Sequence, residues 1–182
     1  MIEKVEGIIL STTPYKESSK IINLYTKKYG LISLIAKGAN RLKSNLRALT
    51  LNYTYGYFYI YYKENKLSLV TQIDLIDSFS FIKNDIILIS YMTYLCDLTK
   101  QILKEGNDEE LYDNLINSIK KINEGLDPLI ITNIFEIKAL DYLGVSPNLD
   151  SCVICNSKKD IITLSSIKGG FLCQNCNKEE IL

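Results

Sequence analysis

The 182-residue chain contains no histidine. Ser-His-Asp and Cys-His nucleophilic groupings, imidazole general bases, and zinc sites of the Cys₂His₂ or His₃ kind are therefore excluded at once. Net charge is absent too, because 21 Lys and Arg balance 21 Asp and Glu. Global charge thus gives no sign of a polyanionic partner. No stretch of about 18 uncharged apolar residues occurs, so no helix long enough to span a bilayer is predicted. The opening residues carry Glu3 and Glu6 and lack a basic start followed by an apolar run, which is not the form of a secretory leader. A cytosolic location is expected. There is also no G-x-x-x-x-G-K-S/T loop, so the phosphate cradle of a P-loop ATPase is missing. No internal repeat or low-complexity segment is visible.

What is present is ordinary globular material, 47% hydrophobic and 23% charged, on a length suited to two compact units and a minor third. Charge is unevenly spread. Residues 1–80 hold 11 basic and 6 acidic side chains, residues 81–150 hold 6 and 12, and residues 151–182 hold 4 and 3. The first 50 residues alone carry 9 cations against 3 acids. Such polarity fits an N-terminal unit that meets a polyanion and an acidic middle that meets proteins or water.

Between Val5 and Asp77 short apolar runs alternate with turn residues at Thr13-Pro14, Tyr29-Gly30, Lys37-Gly38 and Glu64-Asn65. Five strands are predicted, near 4–13, 20–26, 31–37, 52–63 and 67–77. That pattern suits a small closed barrel of the OB or SH3-like type, which periodicity does not separate. After Phe81 the period becomes helical. A first helix near 83–104 has Ile86, Ile89, Leu95 and Ile102 among its apolar positions, and Gly106 ends it. Asn107 with Glu110 reads as a capping box for a second helix, which Gly125 stops. Asp127 and Pro128 open a third, with Ile131, Ile134, Phe135 and Leu140 on its apolar face and Gly144 at its end. The predicted class is α+β: a five-stranded barrel over 1–80, then a helical domain over 81–182 with a cysteine module at about 150–178.

The strongest motif is Cys152-x₂-Cys155, 17 residues, then Cys173-x₂-Cys176. Each C-x₂-C knuckle turns two thiols to one side, and two knuckles supply the four soft ligands of tetrahedral Zn²⁺. Four thiolates leave no open position for water, so one structural zinc per chain is expected from Cys152, Cys155, Cys173 and Cys176. Redox pairs, an iron–sulfur cluster and two disulfides are the competing uses; spacing and a reducing compartment favour zinc. Ile161 to Leu164 and Gly169-Gly170 suggest a hairpin between the knuckles. Cys96 falls in the first helix's apolar pattern as a core thiol.

A second motif is cationic. Lys37, Arg41, Lys43 and Arg47 surround Gly38 and Ser44 just after the third strand, a composition suited to phosphate. Lys16 and Lys20, flanking the first strand turn, extend it. The ordinary reading of such a run is a solvated face, but the regional excess of cations favours nucleic acid. Tyr53, Tyr55, Tyr57, Tyr59 and Tyr61 alternate in one predicted strand. They suit base stacking or, better, a barrel-to-helix interface, with Gly56 as a place to bulge or bend.

Taken in order, Gly7-Ile8-Ile9-Leu10, Tyr15-x-Glu17-Ser18, Thr26, Gly30, Ala36-Lys37-Gly38, Lys43-Ser44, Phe79-x-Phe81 and Gly169-Gly170-x-x-Cys173-x-x-Cys176 resemble the bacterial recombination mediator family RecO. The resemblance implies an OB barrel, a helical domain and an embedded zinc module. It further implies a non-enzymatic protein of DNA repair and recombination that binds single- and double-stranded DNA and anneals complementary strands. Such a protein works with RecR to load RecA onto strands coated by single-stranded DNA-binding protein, in the bacterial cytoplasm at the nucleoid. Asn40 stands where the family often has arginine. The chain ends six residues after Cys176, where such proteins usually continue into further helix, which implies a shortened C-terminus. The acidic C-terminal tail of single-stranded DNA-binding protein is an implied partner of the helical domain. Charge restricts its site there to the neighbourhood of Lys100, Lys104, Lys120, Lys121 or Lys138, away from the Asp108–Asp113 edge. The alternative reading is a protein-interaction adaptor braced by zinc, with no direct DNA role; a metal-dependent nuclease has little support.

Overall fold

A computed structural model describes residues 1–64, 66–104 and 109–177. The chain divides into two compact units, Met1–Phe135 and Glu136–Leu182.

In the first unit, strands β1 (Glu3–Tyr15), β2 (Ser19–Thr26), β3 (Gly30–Ala36), β4 (Tyr55–Tyr61) and β5 (Ser68–Asp77) close into a barrel of order β1-β2-β3-β5-β4. The β3–β5 seam is parallel, through Leu34 with Ser68 and Ile35 with Leu69, and all other pairs are antiparallel. This closed order with its parallel seam is the OB arrangement and removes the SH3-like alternative. Alternation explains the inside: Val5, Ile9, Ile22, Leu24, Leu34, Phe58, Ile60, Val70 and Ile73 are buried together. At about 1.5–3 kcal/mol for each large side chain removed from water, this core is the unit's main driving force.

A short helix α1 (Leu46–Leu49), absent from the sequence reading, sits between β3 and β4. The tyrosine strand also starts later than predicted. Tyr53 lies outside β4 at φ +65°, because its N–H and the Thr54 carbonyl are tied to Ile9. Four of the five tyrosines therefore share the strand. Gly56 does bend it: the β4–β5 register shifts beside Gly56, and a Cβ there would stand 2.5 Å from the Asp74 carbonyl oxygen.

Beyond β5, Phe79 is fully buried and leads into α2 (Ser80–Lys83), α3 (Ile86–Ile102), α4 (Glu109–Asn123) and α5 (Pro128–Tyr142). The Asp85 carboxylate accepts from the N–H groups of Ile87 and Leu88, capping α3, and Asp127 does the same for α5 at Leu129 and Ile130. The predicted Gly106 stop and Asn107 cap lie outside the described residues. Helix α3 buries Met92, Leu95, Cys96, Thr99 and Ile102, while Ile86 is 77% exposed. In α5 the buried residues are Ile131, Thr132, Phe135 and Ala139, and Ile134 is exposed. Both helices are apolar on more than one side, so spacing alone does not fix which stripe turns inward.

Barrel and helices meet through tyrosines. Tyr25 packs edge-on to Tyr112 at 5.2 Å, Tyr55 stacks on Phe79 at 6.0 Å, and Tyr53 donates to Thr93 Oγ1 at 2.9 Å. The Tyr55 and Tyr112 hydroxyls both donate to Glu6. Burial, followed by the Glu6 charge, pushes the Tyr112 phenol above its ordinary range. Cys96 is a buried thiol, raised by burial to about 12, and is inert for that reason.

The second unit holds a two-stranded hairpin, β6 (Ile161–Ser165) and β7 (Gly170–Cys173), and a closing turn α6 (Gln174–Asn177). Its buried side chains in the core cluster are Cys152, Leu172 and Cys173.

Candidate nucleic-acid interface and metal centre

The basic segment is a fixed loop on the barrel. Gly38 adopts φ +68°, a left-handed turn that lets the Arg41 N–H reach the Gly38 carbonyl at 3.0 Å. Ala39 is buried in the barrel core. The Asn40 N–H donates to the Ser18 carbonyl at 2.8 Å, its side-chain amide to the Ser19 carbonyl at 3.3 Å, and the Gly38 N–H to Ser19 Oγ at 3.4 Å. These bonds pin the loop to the β1–β2 turn, which carries Lys16. Lys16, Lys37, Arg41 and Lys43 thus belong to one surface, and Arg47 follows on α1.

Lys16, Lys37, Arg41, Lys43 and Arg47 are exposed, and none forms an ion pair with a described residue. Lys20 is placed differently. It is half-buried, its ammonium donates to the Thr50 carbonyl at 3.1 Å, and burial, then the nearby Arg47 charge, lowers its pKa. It braces the segment after the loop more than it faces outward. Sequence reasoning passed over the anchors Ser18, Ser19, Ala39 and Thr50, whose function is tertiary; only Ser18 left a signal, inside the Tyr15-x-Glu17-Ser18 motif.

In the second unit the four cysteine sulfurs all lie within 4.8 Å of one another, and Cys155 Sγ is 3.6 Å from Cys173 Sγ. A tetrahedron with metal–sulfur bonds of about 2.3 Å has edges of about 3.8 Å, whereas a disulfide requires about 2.05 Å. The donor set therefore fits one metal ion and not two bridges. Each knuckle has a local cause. Asn156 takes φ +59° and its N–H returns to the Cys152 carbonyl at 2.8 Å, while the Cys152 N–H reaches Ser157. The second knuckle runs from the end of β7 into α6, with the Gln174 N–H on the Asp160 carbonyl at 2.9 Å. The backbone N–H of Cys155, against the opposing effect of burial, holds the Cys152 thiol down at about 6. A thiolate is the form that binds metal; Cys176 is instead pushed up, first by burial and then by the neighbouring sulfurs, so a metal ion would displace its proton on binding.

A closed OB barrel with a pinned cationic loop, followed by helices and a four-thiol group able to hold a metal, defines the class as an OB-barrel protein with a metal-capable module. Comparison with known proteins agrees. The model described as Recombination protein O N terminal matches residues 1–79, and that described as Recombination protein O C terminal matches residues 83–180. DNA repair protein RecO of Halalkalibacterium halodurans is 39% identical over 181 residues, covering 99% of this chain and 71% of that protein. The protein of the same name from Listeria monocytogenes serotype 4b is 38% identical over 180 residues, covering 98% and 70%. That of Bacillus mycoides is 34% identical over 174 residues, covering 95% and 70%. The chain belongs to the RecO family of DNA repair proteins. Among the described residues no helix is long and apolar enough to cross a membrane.

Proposed function

We propose that the chain is a non-enzymatic mediator that binds single- and double-stranded DNA, anneals complementary strands and helps load recombinase in the bacterial cytoplasm at the nucleoid. The observation that carries this is the pinned loop, whose exposed cations Lys37, Arg41, Lys43 and Arg47, with Lys16, have no ion-pair partner among the described residues. Each phosphate they neutralise releases counterions, which lowers repulsion between two strands; base pairing then supplies the driving force and no catalytic residue is needed. Lys20 contributes by holding the segment at Thr50.

The division of labour follows the sequence: residues 1–80 for nucleic acid, residues 81–182 for protein partners, with the module at about 150–178. Cys152, Cys155, Cys173 and Cys176 would hold one Zn²⁺, which supplies structural cross-linking and no reaction chemistry. RecR and the C-terminal tail of single-stranded DNA-binding protein are the proposed partners. Lys100 is engaged by Asp97 at 2.8 Å, Lys120 lies over the Tyr55 ring at 5.2 Å and Lys138 has a partner of its own, which leaves Lys104 and Lys121, both exposed, as the first choice for the acidic tail.

Titration with single- and double-stranded DNA at two salt concentrations tests the reading. Affinity should fall steeply with salt. Salt-independent affinity, or none, would replace the mediator with the adaptor.

A further inference from the structure

At the opposite end of β3 from the cationic loop, a cleft of about 420 Å³ is lined by Tyr29, Leu31, Ser33, Tyr62, Lys63 and Lys66, among others. Tyr29 and Tyr62 stack face to face, with centroids 4.0 Å apart and planes 12° from parallel. Tyr29 is further held by its hydroxyl, which donates to Glu3, and by the Lys28 ammonium 4.6 Å from its ring. The walls are therefore rigid before any ligand arrives, which reduces the ordering cost of binding. Leu31 and Leu67 add exposed apolar surface. Lys63 and Lys66 are exposed and form no ion pair with a described residue. A stacked tyrosine pair and two exposed leucines beside two ammonium groups, in a lining more polar than apolar, fit a flat anion, which is the chemistry of a nucleotide.

The surface between the loop and the cleft carries no repelling charge. The outward cross-strand pairs of β2 and β3 are Ile21 with Ile35, Asn23 with Ser33 and Tyr25 with Leu31; Tyr25 is covered by Tyr112, so near the cleft the open surface is that of β3. Ser33 Oγ donates to Asn23 Oδ1, and Asn23 Nδ2 donates to Ser11 Oγ. Neutral hydroxyls and amides thus join two cationic ends. Gly30 to Ala36 spans roughly 20 Å at about 3.3 Å per residue, the length of about six stacked nucleotides at ~3.4 Å each. That lies inside the range of about 4–16 nucleotides covered by one OB barrel.

We infer that the Tyr29–Tyr62 cleft is a nucleotide site at the far end of a single-strand path that starts at Lys37 and runs along β3. This rests on the DNA-binding function proposed above and extends it to residues that function did not use. The path gives a bound strand a fixed end where a base lies against aromatic walls, while the loop end reads phosphate alone.

The test uses thymidylate oligomers of 4 to 12 nucleotides with the whole chain and with the Lys63→Ser/Lys66→Ser double variant, whose changes lie on exposed side chains. In the unmodified protein affinity should climb with length until the cleft is reached. The double variant should lose about fivefold or more at 12 nucleotides, with a salt slope flatter by about 1.4, and lose little at 4. Oligomers carrying 5-iododeoxyuridine at one end or the other should photo-cross-link to Tyr62 or Tyr29 from one end only. If the unmodified protein binds the oligomers while the double variant shows the same climb and neither tyrosine cross-links, the cleft assignment fails and DNA binding stands. Absence of binding at every length removes the proposed function and this site with it. Protection of Lys63 and Lys66 from acetylation by an acidic peptide but not by the 12-mer would reassign the cleft to a protein partner.

Discussion

The barrel and the cysteine module reach a defined shape by different physics. The barrel gathers a cluster of apolar side chains from all five strands, so its stability is spread over many contacts. The module's buried cluster is Cys152, Leu172 and Cys173, and two of those three are metal ligands by character. Too little apolar area is available there to offset the entropy of ordering the chain, so four converging thiols must replace a core. One unit is fixed by area and the other by a point.

The largest expected effect is therefore on the module. Metal removal by chelation, or Cys155→Ser, should unfold residues 148–176, because with the proposed zinc in place metal binding and folding would be a single equilibrium; structural zinc contributes about 10–16 kcal/mol in comparable small units. Hydrogen exchange should rise across β6 and β7 and stay unchanged in β1 to β5. Elemental analysis should find one zinc per chain; iron with visible charge-transfer absorption contradicts the assignment.

Phe58→Ala makes the reverse perturbation. It empties a site that is fully buried in the barrel and should cost about 3–5 kcal/mol in denaturant unfolding, with the metal content unchanged. Loss of metal in this variant would show that the two units are not independent in stability. Smaller again is Asp85→Ala, which leaves the N–H groups of Ile87 and Leu88 without their acceptor. A cost of about 1 kcal/mol is expected, with faster exchange in the first turn of α3.

The next effect concerns pH. Glu3 is held below its ordinary value, first by the Tyr29 hydroxyl and then by Lys28. A carboxyl with a depressed folded-state pKa contributes stability above its unfolded pKa and loses it as pH falls through the folded value. Tyr29→Phe should raise the Glu3 titration midpoint, read by NMR, and weaken the acid limb of barrel stability. Smallest in stability are paired changes such as Lys37→Ser with Arg41→Ser, expected within about 0.5 kcal/mol. DNA binding should nonetheless weaken with a salt slope flatter by about 0.7 per lost single-strand contact; an unchanged slope in every such pair would remove the loop from the interface.

The same contrast explains what was legible in the sequence. The convergence of the four thiols was legible, because C-x₂-C spacing is local and its chemistry is carried by residue type. The strands were legible where alternation was clean, as in β2 and β3. Tyr53 was misplaced because its backbone bonds to Ile9, more than 40 residues away, outweigh its strand-like neighbours. Ile86 and Ile134 were turned inward by a pattern in helices with more than one apolar side. Lys20 read as a surface cation because nothing local announces the Thr50 carbonyl. The Tyr29–Tyr62 pair was invisible for a similar reason: one ring sits in the β2–β3 turn and the other just after β4, and only barrel closure brings them together.

Strand β1 pairs along one edge with β2 and along the other with β4, where Gly7 faces Gly56. During synthesis the first edge is covered as soon as the neighbouring hairpin forms. The second must wait for a partner about 50 residues later, several seconds at roughly 5–20 residues per second. Through that interval Glu3 to Ile8, with Val5 and Ile8 among them, present an unpaired strand edge, the kind of surface that recruits another nascent chain. The burden of avoiding aggregation thus falls on the first strand made, and conditions that slow elongation between residues 26 and 60 lengthen its exposure.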